Sequence, residues 1–134
     1  MQNILRSLKS NFIDIPTDSP QRDERQGWTG DAQLILPTAA YHMDIAAFYE
    51  KWLQALSDSQ LPSGAYTDCA PTLENIPGAH GWADAGIIVP YLLYQFYGDR
   101  GIIERHWDSI ERYMAYLEKE SANLIRPATG MGIG

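Results

Sequence analysis

Two segments of this chain follow one plan. In each, an apolar stretch broken by a single proline (Pro37, then Pro90) runs up to an aspartate (Asp44, then Asp99), and a tryptophan follows at the same offset (Trp52, then Trp107). An aspartate just before an apolar-periodic run suits a helix N-cap, because its side-chain oxygen accepts from the orphaned N–H groups of the first turn. After Asp44, the residues Ile45, Phe48, Trp52 and Leu56 recur at helical spacing and form one apolar stripe. Each segment therefore reads as a helical hairpin. Nothing in the chain alternates with period two over a useful length, so the expected fold class is all-α.

The pattern predicts helices over about 3–12, 29–41, 44–59, 82–97 and 102–119. Pro37 removes one intrahelical hydrogen bond, which predicts a kink. Gly98 suits the C′ position of one helix and Asp99 the N-cap of the next. The stretch 60–81 reads as one long loop, with Pro62, Pro71 and Pro77 and with Gly64, Gly78 and Gly81. Loops that long in compact domains are usually functional or disordered. If the step from Asp44 to Asp99 is one hairpin, 134 residues hold about two and a half of them, and an open stack exposes apolar faces at its ends. The expectation is a partial domain over residues 1–134, truncated at its C-terminal end and at its N-terminal end as well.

Ten basic residues against 17 acidic ones leave a net charge of -7. That disfavours nucleic acid or an anionic membrane surface as a partner, since phosphate binding needs clustered Lys and Arg. Neutral sugars impose no such requirement. Cys69 is the single cysteine, so the chain has neither a disulfide framework nor a thiolate metal cage. No apolar run approaches the roughly 20 residues of a membrane span. The segment QNILRSLKS after Met1 lacks a signal-peptide apolar core. For a chain that begins inside a longer protein this leaves cytoplasm, periplasm and secretion all open.

The densest chemistry lies between Asp18 and Asp31. Four carboxylates (Asp18, Asp23, Glu24, Asp31) and two guanidiniums (Arg22, Arg25) crowd this short span, beside Trp28. A charge run of this kind is most often a solvated loop. Here Pro, Gly and Trp are interleaved with the charges, which suggests a constrained loop, and Asp31 falls in a first helical turn, where the helix dipole favours a carboxylate. Carboxylates accept hydrogen bonds from vicinal hydroxyls, and tryptophan stacks on the C–H face of a pyranose. A buried carboxyl crowded by like charges also has its pKa raised, as a general acid requires. These residues suit sugar binding and glycosidic cleavage without identifying them.

The segment TDSPQRDERQGWTGDAQ resembles the signature of the bacterial α-L-rhamnosidases. The similarity extends through NFIDIPTDSPQRDER, LPSGAYTDCAP and HGWADAGIIVPYLLYQFYGD, and the resemblance covers nearly all of the 134 residues. The resemblance implies an (α/α)6 barrel of six helical hairpins, of which this chain is the N-terminal part. It implies Glu24 as general acid, with Asp18, Arg22 and Asp31 holding rhamnose hydroxyls and Trp28 packing against the sugar. Trp82 and Asp84, from GWADA, match a second element that faces the same cavity. A rhamnose-containing glycoside or polysaccharide is the implied partner, beside the other domains of a full-length enzyme, and no cofactor is implied. Ser19 and Gln26 depart from the family's usual cysteine and aliphatic residue, and neither supplies catalytic atoms. The family's general base is a glutamate from beyond Gly134.

Other residues read more plainly. His42, His80 and His106 lie far apart in the sequence, a spacing that matches no compact zinc pattern, so no metal site is expected. His42 and His106 read as ordinary helix residues, while His80, just before Trp82, is a candidate sugar contact. Asp68 and Glu74 read as solvated loop acids, with a contact to the aglycone as the functional alternative. Trp52 and Trp107 are expected in the core, and Tyr91, Tyr94, Tyr113 and Tyr116 in packing. No serine sits in a nucleophile elbow, and GMGIG follows no strand, so neither Ser/His/Asp catalysis nor a phosphate loop is supported.

The resulting expectation is a fragment of an inverting glycosidase that is inactive alone. Three rivals stay open: a carbohydrate-binding remnant without turnover, a purely structural helical-repeat fragment, and a six-hairpin glycosidase for another sugar. The site residues should converge at one end of the helix bundle, with Trp28 shielding Glu24.

Overall fold

A computed structural model describes residues 2–11, 27–72, 75–121 and 125. Among these residues the regular elements are all helical: α1 (Gln2–Asn11), α2 (Thr29–His42), α3 (Ala46–Asp58), α4 (Ala85–Tyr97) and α5 (Arg100–Glu120). Helix α2 packs beside α4, α3 beside α5, and α4 also touches α3 and α5. Each hairpin thus gives one helix to each of two layers, and equivalent helices take equivalent places, as the repeat demands. No helix among the described residues is long and apolar enough to cross a membrane.

The helix ends follow local chemistry. Asp99 caps α5 by accepting from the Gly101 N–H at 2.8 Å. Gly98 ends α4 in the left-handed region at φ 69°, where glycine carries no Cβ penalty. Asp44 stands two residues before α3, with Ile45 in the N-cap position expected of it, yet its Oδ1 still accepts from the Ala46 N–H at 3.2 Å. Helices α2 and α4 run on through Pro37 and Pro90. Helix α4 starts at Ala85, not at 82, because residues 80–84 form a turn.

The core lies between the layers. Leu36 and Ala39 of α2, Tyr49, Trp52, Leu53 and Leu56 of α3, Val89 and Leu93 of α4, and Ile102 and Tyr113 of α5 are buried. Buried polar groups of these side chains find partners, as a dry interior requires. The Tyr49 hydroxyl donates to the Ala32 carbonyl at 2.7 Å, and the Trp52 indole N–H to the Ala70 carbonyl at 3.0 Å.

Much of the long loop is built into this core. Leu61, Ala65, Tyr66 and Ala70 are buried members of it. Gly86 lets α4 lie flat on the Tyr66 ring, since a Cβ there would stand 2.1 Å from a ring carbon. Gln60 braces the loop by donating to the carbonyls of Gly64 and Ser109, at 2.8 and 2.9 Å.

Three aromatic expectations are corrected. Trp107 is 50% exposed, whereas its repeat partner Trp52 is buried, because no described helix covers that face of α5. Tyr91 and Tyr94 are also exposed, while Tyr113 and Tyr116 are buried as packing residues. Of the histidines, His106 is buried and its Nδ1 lies 3.3 Å from the Ser57 hydroxyl.

Candidate functional site

The described part of the site is the N-terminal end of α2. Residues 27–29 lead into that helix, and the loop segment 68–70 holds them by its backbone. The Ala70 N–H donates to the Gly27 carbonyl at 3.0 Å, and Trp28 forms an antiparallel bridge with Cys69. Thr29 donates both its backbone N–H and its hydroxyl to the Asp68 carbonyl, at 2.8 and 2.9 Å. The start of α2 is therefore fixed on both sides of Trp28. Trp28 is half-buried, and Asp31 is exposed in the first turn.

Gly30 lies between them and is buried under Trp82. A Cβ at Gly30 would meet the indole Nε1 at 2.8 Å and Cδ1 at 2.9 Å, so the indole rests on bare backbone. Trp82 comes from the turn before α4, and the neighbouring elements hold that turn. The Gln33 amide, one turn along α2, donates to the Gly81 carbonyl. The Gly81 N–H donates to Asp84 Oδ2 at 3.1 Å, and the buried Tyr113 hydroxyl of α5 donates to Asp84 Oδ1 at 2.7 Å. Asp68 serves here too, its Oδ1 accepting from the Ala79 N–H at 2.7 Å, which gives it a place in the fold in addition to its loop position.

Trp28, Asp31 and Trp82 thus share one helix end. Asp84 sits on the same turn as Trp82, with its carboxylate bonded to Tyr113 and Gly81. Asp18, Arg22 and Glu24 lie outside the described residues, as does Glu74. His80 and Asp84 line an open cavity of about 810 Å³ with Trp107, Glu111, Met114 and Glu118 of α5. Among the described residues no group of three or more His, Cys, Asp or Glu side chains is placed to hold a metal ion.

Sequence reasoning passed over Gly30, Gln33, Gly81 and Tyr113. Gly30 left a signal, because a glycine inside a helical turn costs about 1 kcal/mol against alanine and often marks a close approach. Tyr113 left none that separates it from an ordinary core tyrosine.

Residues 1–134 match the bacterial α-L-rhamnosidase six-hairpin glycosidase domain. An α-L-rhamnosidase of Streptomyces avermitilis is 50% identical over 131 residues, covering 97% of this chain and 13% of the relative. One from Formosa agariphila is 40% identical over 124 residues, covering 92% and 13%. The crystal structure of Streptomyces avermitilis α-L-rhamnosidase complexed with L-rhamnose superposes with a TM-score of 0.84 at 46% identity, over 96% of this chain and 13% of that one. The Dictyoglumus thermophilum α-L-rhamnosidase structure gives 0.82 at 42% identity, over 87% and 13%. The chain spans about 13% of the length of each of these relatives. With a family match along its whole length and solved α-L-rhamnosidase structures of the same fold, this chain belongs to the bacterial α-L-rhamnosidase six-hairpin glycosidase domain family.

Proposed function

We propose that this chain is the part of an inverting α-L-rhamnosidase barrel that supplies the general acid. Residues 1–134 form a partial six-hairpin domain in this reading, and the remaining hairpins and other domains of a longer enzyme complete it. Glu24 protonates the departing glycosidic oxygen. A water on the opposite face of the sugar is activated by a second carboxylate contributed from beyond Gly134. Inverting enzymes keep those two carboxyl groups about 6.5–9.5 Å apart to leave room for that water. Asp18, Arg22 and Asp31 bind rhamnose hydroxyls and tune the acid, while Trp28 and Trp82 cover the C–H face of the ring. The chemistry uses protein side chains and water, with no cofactor.

The observation that carries this reading is the family match, which runs through the TDSPQRDERQGWTGDAQ signature. Support comes also from a 46% identical structure described as a complex with L-rhamnose, and from Trp82 lying on the helix turn that bears Trp28 and Asp31. Proton NMR of an α-L-rhamnoside digest by the full-length protein tests it. Inversion releases the β-anomer of L-rhamnose first. First release of the α-anomer would contradict inversion, and binding of rhamnoside without release would point to a carbohydrate-binding remnant.

A further inference from the structure

We infer that Tyr113, Asp84 and Gly30 are positioning residues that hold the Trp82 indole at the sugar site. This rests on the proposed reading of Trp82 as a sugar contact, and it gives Asp84 a task other than binding substrate.

Trp82 sits in a short turn, not in a helix, so its place has to be set by tertiary bonds. Those bonds form one path from α5 to α2. Tyr113 donates to Asp84 at 2.7 Å, Asp84 accepts from the Gly81 N–H at 3.1 Å, and the Gly81 carbonyl accepts from Gln33. Both peptide groups of the residue just before Trp82 are thereby engaged. Gly81 itself has φ +79°, and a Cβ there would find nothing within 4 Å, so its glycine serves backbone conformation and not space. Gly30 does the reverse: it sits in ordinary helix and is needed because the indole occupies the place of a Cβ. The two carboxylate oxygens of Asp84 each accept from the fold, one from the turn and one from α5. Tyr113 is fully buried at its end of the path, so the hydroxyl has a fixed origin.

Double-mutant cycles in the full-length protein test this, with KM and kcat measured on p-nitrophenyl α-L-rhamnoside. Tyr113→Phe removes one hydroxyl and keeps the ring, and Gly30→Ala adds one methyl under the indole. Each is expected to raise KM about 3- to 10-fold, the range for one lost hydrogen bond, with kcat changed less than about twofold. In a Trp82→Ala background both substitutions should be silent, because the group they act through is gone. Trp82→Phe replaces the alanine variant if that one does not fold. Effects of equal size in both backgrounds would mean that Tyr113 and Gly30 act on the fold alone, which overturns the inference. A raised KM for Trp82→Ala with no effect of Tyr113→Phe and Gly30→Ala overturns it too and leaves the sugar-site reading standing. An unchanged KM for Trp82→Ala overturns both.

Discussion

Tyr66, in the loop between the hairpins, and Ser109, on α5, share a buried hydrogen bond of 2.6 Å across 43 residues of sequence. The Ser109 hydroxyl donates onward to Gln60 Oε1 at 3.1 Å, so the phenol is the donor of the pair. Burial pushes the Tyr66 phenol up in pKa, against a smaller downward effect of the Arg112 charge, which keeps that proton in place. Tyr66→Phe retains the ring against Tyr113 and loses only the bond. It should lower stability by about 1 kcal/mol, and Tyr66→Ala by about 3–5 kcal/mol, in denaturant unfolding.

The parts of this fold that were legible in the sequence are the local ones. Asp99 and Gly98 mark a helix start and a helix end because capping needs only neighbours within a turn. The apolar stripe of α3 likewise declares its own buried face. What escaped depends on distant partners. Trp107 matches Trp52 in the repeat, but burial requires a covering element, and no described helix lies over it. Residues 82–84 carry helical patterning, yet Gln33, 48 residues from Gly81, and Tyr113, 29 residues from Asp84, hold them as a turn. Within the site, the charged loop showed suitable chemistry, while the roles of Asp18, Arg22 and Glu24 came from resemblance to a family.

Stability should fall with mild acid through His106. Burial lowers its pKa, opposed by Glu50 and reinforced by Arg105, so the fold favours the neutral ring. The unfolded chain takes up a proton near the ordinary value of about 6.5, and the folded one only at lower pH. Stability is therefore greatest above about pH 6.5 and declines as pH falls from there toward the folded-state pKa. His106→Gln should flatten that slope in unfolding midpoints measured across the range.

The 134-residue chain alone should not turn over p-nitrophenyl α-L-rhamnoside, because in the proposed reading the water-activating carboxylate and most of the barrel lie outside it. Steady release of nitrophenolate by the purified chain, weakened by Asp31→Ala at the proposed sugar site, would place the base within these residues.

The role of Glu24 is best measured by the dependence of its loss on the leaving group. Glu24→Gln in the full-length protein should lower turnover of an alkyl rhamnoside by about 10²–10⁴, the usual worth of general acid catalysis. An aryl rhamnoside with a good leaving group should lose much less, since its departing oxygen needs little protonation. Equal losses on the two substrates would show that Glu24 binds sugar without donating the proton, and would contradict its assignment as the acid.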